Sequence, residues 1–175
     1  MNLIVLSAMF SFFPVTIDHL PLLRHWFAQP HVSCWWPTPE KEEDFFAHFL
    51  KRIRSSDTHP YIALIDDKPI GYVQMYHIDY NNEKAGKWLP KFPEHTVGID
   101  QLIGEPAYIG KGYGTRMVTD FIRFIKTVDP NITTVIVDPD PENKAAIRCY
   151  EKVGFLLVGL CETPYGNAYL MRYDI

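Results

Sequence analysis

The 175 residues are 47% hydrophobic and 22% charged, with 21 acids against 17 bases and a formal net charge of −4. That is the size of one domain, and its balance excludes disorder and fibrous repeats. No apolar run approaches the ~20 residues of a membrane span. The mild acidity argues against nucleic acid and suits a cationic partner.

Taken in order, Phe10 to Val15 reads as a first strand, and the apolar start before it lacks the basic region of a signal peptide. Thr16 caps a short helix with Leu20, Leu23, Trp26 and Phe27 on one face, stopped by Pro30. Thr38 with Pro39 opens a second helix, whose stripe is Phe45, Phe46, Phe49, Leu50 and Ile53. The period then shortens. Tyr61 to Ile65 and Ile70 to Ile78 flank the turn Asp66-Asp67-Lys68-Pro69. Residues 79–95, with Asn81, Asn82, Gly86, Pro90 and Pro93, read as a long loop.

Thr96 to Ile103 is strand-like, and a helix carrying Met117, Val118, Phe121, Ile122 and Ile125 follows a glycine cluster. Thr133 to Val137 gives another strand, and a helix after Asn143 ends near Gly154. Phe155 to Leu160 and Ala168 to Tyr173 form a hairpin around Pro164-Tyr165-Gly166-Asn167. The order β-α-α-β-β-β-α-β-α-β-β predicts a mixed α/β sheet in one domain over 1–175, not a doubly wound one.

Cys34, Cys149 and Cys161 form no CxxC pair, and the seven histidines show no ligand spacing. No metal site is expected, and a reducing, cytoplasmic setting suits the chain. Gly110-Lys111-Gly112-Tyr113-Gly114-Thr115, between strand and helix, has another character. Glycines there permit a tight turn whose N–H groups point outward at a helix N-terminus, a nest for phosphate. No GKS or GKT closes the motif as a P-loop.

About thirty residues further on, the chain reads Asn143-x-x-Ala146-x-x-x-Tyr150-x-x-x-Gly154-Phe155. This pair of motifs resembles the GNAT acetyltransferases. Tyr61-Ile62-Ala63, Gly71-Tyr72-x-Gln74-x-Tyr76, Gly98-Ile99-Asp100-Gln101, Asp138-Pro139 and Trp35-Trp36 narrow the resemblance to aminoglycoside 6'-N-acetyltransferases. It implies a mostly antiparallel central sheet with two splayed strands, flanked by helices. It also implies acetyl-coenzyme A as co-substrate, held by Ile109, Gly110, Lys111, Gly112, Tyr113, Gly114 and Thr115, by Asn143, and by the backbone at Gln101 or Leu102. Ile109 stands where most such enzymes carry Gln or Arg, which leaves the phosphates to backbone donors.

Acetyl transfer needs a neutral amine, and an amine of pKa ~10.4 is neutral about once in 2500 molecules at pH 7. Asp100 is the candidate base, acting directly or through a water, and Tyr150 the candidate acid for the leaving thiolate. Trp35, Trp36, Gln74, Tyr76, Glu94, Asp100 and Asp138 are the candidates for holding a polycationic acceptor. Glu94 falls near a place where relatives carry an aspartate. The acceptor is expected to be a small cationic amine, and the protein a monomer or homodimer without nucleic-acid or membrane partners. The alternatives are N-acylation of another amine (a siderophore lysine, polyamine or peptide) and a non-catalytic acyl-coenzyme A-binding module.

Overall fold

A computed structural model describes residues 9–36, 38–39, 41–81 and 88–175. Part of the apolar start, and Asn82 and Gly86 of the long loop, lie outside the described residues. The strands are β1 (Ser11–Pro14), β2 (Thr58–Ile65), β3 (Lys68–His77), β4 (Thr96–Ile103), β5 (Thr134–Val137), β6 (Leu156–Thr163) and β7 (Gly166–Asp174). The helices are α1 (Leu20–Phe27), α2 (Pro30–Ser33), α3 (Glu42–Ile53), α4 (Tyr113–Val128) and α5 (Lys144–Val153). The strands make one seven-stranded sheet in the order β1-β2-β3-β4-β5-β7-β6, antiparallel except where β4 meets β5.

Most expected elements are present, with two corrections at the front. Pro30 does end α1, but it also starts α2, because its fixed φ and missing N–H fit a first helical turn. The next helix begins at Glu42 rather than Pro39. Glu42, Glu43 and Asp44 fill its first turn, where the helix dipole favours acids. The carbonyl of Pro39 instead accepts from Arg24 Nη1 at 3.2 Å. Asp66 and Asp67 turn β2 into β3 with φ of 49° and 59°, a conformation short polar side chains tolerate.

Strand alternation divides the core into two layers. One face carries Val73, Met75, Val97, Ile99, Val135, Val137 and Met171 against Val118, Phe121, Ile122 and Ile125 of α4 and Tyr150 of α5. The other carries Ile62, Tyr72 and Leu102 against Leu23, Trp26, Phe27, Phe45 and Phe49 of α1 and α3. Each of these large side chains contributes roughly 1.5–3 kcal/mol by leaving water. The loop before β4 is packed too: Trp88, Leu89 and Phe92 lie with Ile136 and Leu170. Phe10 N donates to the buried Asp120 Oδ2 at 3.1 Å and ties the chain's entry to α4. Among the described residues, no helix is long and apolar enough to cross a membrane.

Candidate active site

The functional geometry begins where the two parallel strands part. β4 and β5 pair only through Thr96–Thr134, Val97–Val135 and Gly98–Ile136. β4 then runs on to Ile103 without β5 beside it, and the chain leaves β5 at Asp138. Continuing the register by two residues sets Asp100 opposite Asp138 across the opening. Alternation puts both on the face that carries Tyr72, Gln74 and Tyr76. Gly98 belongs to the same face, and a Cβ there would lie inside the Tyr76 ring. Glycine at this position lets the Tyr76 ring cover the strand beside the acids.

Backbone phase decides which donor faces the opening. Gly104 N bonds Ile70 O at 2.8 Å, which fixes Tyr72–Leu102, Gln74–Asp100 and Tyr76–Gly98 as the hydrogen-bonded pairs of β3 and β4. The main chains of Asp100 and Leu102 are therefore spent on β3. Those of Ile99 and Gln101 turn toward the gap, while Ile103 O takes a bond from His31 Nε2 at 2.9 Å. Of the two expected backbone donors, Gln101 faces the opening and Leu102 does not. The Leu102 side chain is also buried, in the α1–α3 layer.

Charge in the opening is unusual. Burial raises the Asp100 carboxyl above the ordinary range, against the pull of the Gln74 hydrogen bond and the Arg52 charge. Burial, then the Asp100 charge, pushes Asp138 up to about 7. Tyr76 is raised well above 10 by burial and by Asp100, Asp138 and Tyr150. The Tyr150 phenol reaches the same opening from α5, on the other side of the sheet. Burial is the largest cause of its raised pKa, followed by Cys149, Asp100 and Asp138, with the Gln101 amide opposing. Two carboxyls and two phenols thus share one poorly solvated place.

At the end of the glycine loop, Gly110 and Gly112 have φ of 72° and 85°, and a Cβ on either would meet nothing. Gly112 precedes α4 with no side-chain cap, which leaves the first-turn N–H groups to an outside acceptor. A surface cavity of about 470 Å³ adjoins it, lined by Met9, Gly112, Thr115, Arg116, Thr119, Asp120, Arg123 and Lys152. Uncapped donors, open space and three cations, of which Arg123 is paired with Asp120 at 3.2 Å, fit the phosphates of coenzyme A. The motifs do not point to Arg116, Arg123 and Lys152, although Thr115, Arg116, Thr119 and Arg123 recur at helical spacing on one face of α4, which Gly112 precedes.

Other expected site residues have different places. Trp36 packs on Phe27 and Tyr72 at ring distances of 5.1 and 5.8 Å, in the aromatic core, while Trp35 is exposed. Gln74 is buried beneath the acids, with its amide bonded to Asp100, Tyr72 and Arg52. Glu94 is not brought to the site. It is exposed at the joined end of β4 and β5, its carbonyl accepting from Thr133 Oγ1 at 3.3 Å. The turn at Glu94 and His95, where His95 has φ of 65°, and then the extended run from Thr96 to Asp100, ~13 Å long, separate it from Asp100. Asn143 Oδ1 caps α5 by accepting from Ala146 N at 3.1 Å. Lys111 Nζ folds back onto Ala107 O at 2.7 Å, and Ile109 is exposed before the loop. Thr115 Oγ1 donates to Cys149 Sγ at 3.7 Å. No group of metal ligands occurs among the described residues.

Comparison with known proteins returns a consistent set. A family model described as "Acetyltransferase (GNAT) domain" matches residues 16–163. The aminoglycoside N(6')-acetyltransferase type 1 of Klebsiella pneumoniae is 34% identical over 161 residues, covering 90% of this chain and 79% of that protein. The crystal structure of aminoglycoside acetyltransferase AAC(6')-Ib with coenzyme A superposes with a TM-score of 0.85 at 32% identity, over 94% of each chain. A second structure of that enzyme, with coenzyme A and kanamycin, gives 0.84 over the same shares.

Proposed function

The chain belongs to the GNAT acetyltransferases, and on that premise we infer that it moves the acetyl group of acetyl-coenzyme A to the 6'-amine of an aminoglycoside. The observation that carries this reading is the pair Asp100 and Asp138 at a strand splay, beside an uncapped, cation-lined helix start. A polycationic amine suits the first feature and a phosphate-bearing thioester the second.

The residues divide the work by their physical state. Asp100 and Asp138 bind and orient the ammonium, whose arrival offsets the cost of charging two acids in a poorly solvated place. A carboxyl raised above ~3.9 by burial is also better matched to an amine proton than an exposed one. Asp100 takes that proton directly or through one water. The Gln101 N–H donates to the carbonyl oxygen of the thioester as charge gathers there, a role worth ~3–4 kcal/mol when one such donor is lost in other enzymes. Tyr150 keeps its phenol protonated at neutral pH and gives that proton to the leaving sulfur. The thiol's own pKa of ~8.5 limits this help, so Tyr150→Phe is expected to lower kcat about tenfold with KM for acetyl-coenzyme A little changed. Steady-state rates of thiol release would check both values.

The purified protein, given acetyl-coenzyme A and a panel of kanamycin, tobramycin, polyamines and hydroxylysine, should release thiol fastest with the aminoglycosides. NMR of the product should place the acetyl group on the 6'-nitrogen, and expression should raise the kanamycin concentration that bacteria survive. Absence of acetylation of every aminoglycoside bearing a 6'-amine would overturn the reading.

A further inference from the structure

Beneath Asp100 lies a polar chain that reaches α3. Gln74 Nε2 donates to Asp100 Oδ2 at 2.6 Å. Gln74 Oε1 accepts from the Tyr72 hydroxyl at 2.7 Å and from Arg52 Nε at 3.2 Å. Gln74 is only 4% exposed, so solvent cannot substitute for these partners. The guanidinium is itself held, with its carbon 5.8 Å from the Phe49 ring centre and Nη1 against His48 Nε2. Burial first, then Arg52 and Lys51, lowers His48 to about 4, so at neutral pH its ring nitrogen is free to accept from Arg52.

An amide has two orientations, and here the donors choose between them. With the oxygen toward Arg52 and Tyr72, the NH₂ points at the carboxylate. The reverse would aim an amide oxygen at a carboxylate and an NH₂ at a guanidinium, leaving buried groups mismatched on both sides. Tyr72 alone does not decide the matter, because a hydroxyl can donate or accept. Arg52 can only donate. It also brings a positive charge near Asp100 without contacting it directly, so the acid keeps an oxygen for a cationic acceptor. A direct Arg–Asp pair would compete with the substrate.

We infer that Arg52, acting through Gln74, is a positioning residue for acetyl transfer: it fixes the amide that aims Asp100 and keeps a positive charge beside it. This rests on the reading of Asp100 given above. The other ionisable groups that feel the Asp100 charge are Tyr72 and Tyr76 on β3, Asp138 after β5 and Tyr150 on α5; His48 and Lys51 on α3 face the Arg52 end of the chain, and Cys149 faces Tyr150.

The test is the pH profile of kcat/KM for the best amine of the wild-type enzyme, measured in Arg52→Met, Arg52→Lys and each paired with Asp100→Asn. Arg52→Met should lower kcat/KM about five- to twentyfold at pH 7 and move the acid limb up by about half a unit to one unit. Arg52→Lys keeps the charge and the fold but loses the planar fork, so it should retain most of the limb position while losing rate. In the Asp100→Asn background either change should cost less than twofold, since the residue it serves is gone. An unmoved acid limb in both single variants, or an equal loss with and without Asp100, would overturn the inference. Failure of the functional reading shows separately, as a wild-type enzyme that acetylates no aminoglycoside.

Discussion

Asp100→Asn is expected to lower kcat/KM for kanamycin by about 10²–10⁴, the span that a positioned general base contributes. The substitution is conservative where the fold is concerned. Gln74 Nε2 now donates to Asp100 Oδ2 at 2.6 Å, and an Asn oxygen in the same place would still accept that bond, though without the help of a charge. The buried carboxyl also costs energy to ionise, so its removal relieves the cleft rather than opening a hole. The glycine loop and the cations near α4, proposed to hold acetyl-coenzyme A, lie apart from the Gln74 and Arg52 partners of Asp100. Calorimetric affinity for the cofactor should stay within about twofold of wild type, while thiol release collapses. A loss of less than threefold in kcat/KM would remove Asp100 from the chemistry and leave it only a charge for binding. Loss of cofactor affinity in parallel would mean that the splay itself had changed shape.

The role given to Asp100 shows which parts of the site a sequence exposes. The Thr96–Ile103 strand is legible because its boundaries follow from β-branched residues and a glycine-rich exit, and the structure keeps them. The glycine loop and the helix start after Asn143 are legible for a similar reason, each a local solution to a backbone problem, whereas the Asn143 side chain, expected at the cofactor, caps the helix. Arg52 is not legible, since helix periodicity shows a charge beside Phe49 and says nothing of a strand glutamine 22 positions away. Glu94 misleads in the opposite sense. Its nearness to Asp100 in sequence becomes distance in space, because it sits in the turn before β4, at the far end of the extended run that carries Asp100. The tryptophan pair divides as adjacent positions often do, one inward and one outward. Long-range register carried the remaining information. Only after Gly98 is paired with Ile136 do Asp100 and Asp138 become neighbours, and no local pattern contains that pairing.

Asp138→Asn should damage binding and improve stability at the same time, with the second effect confined to one side of a pH window. On the binding side, an acceptor ammonium loses one of two carboxylates, and KM for aminoglycosides should rise about 10–100-fold with a smaller change in kcat. Stability follows from linkage. The carboxyl has an ordinary value of 3.8 and is pushed up to about 7 in the folded protein, by burial first and by the Asp100 charge second. Between these values the folded state holds the proton more tightly than the unfolded one, so stability falls as pH rises through the window. The cost is absent below about pH 4 and complete above about pH 7; partial exposure of the group limits it to roughly 1–2 kcal/mol. The Asn variant escapes it. Its Tm should exceed that of wild type by about 3–6 °C at pH 8 and converge with it near pH 4. An aminoglycoside should narrow the gap at pH 8, because its ammonium groups stabilise the two acids only in the wild type. Removing the Asp138 charge should also make Asp100 easier to ionise, moving the acid limb of kcat/KM downward. Arg52→Met moves it upward, so the two variants bracket the wild type from opposite sides of one carboxylate. A Tm gain of equal size at pH 4 and pH 8 would show that packing, not buried charge, separates Asn from Asp at this position.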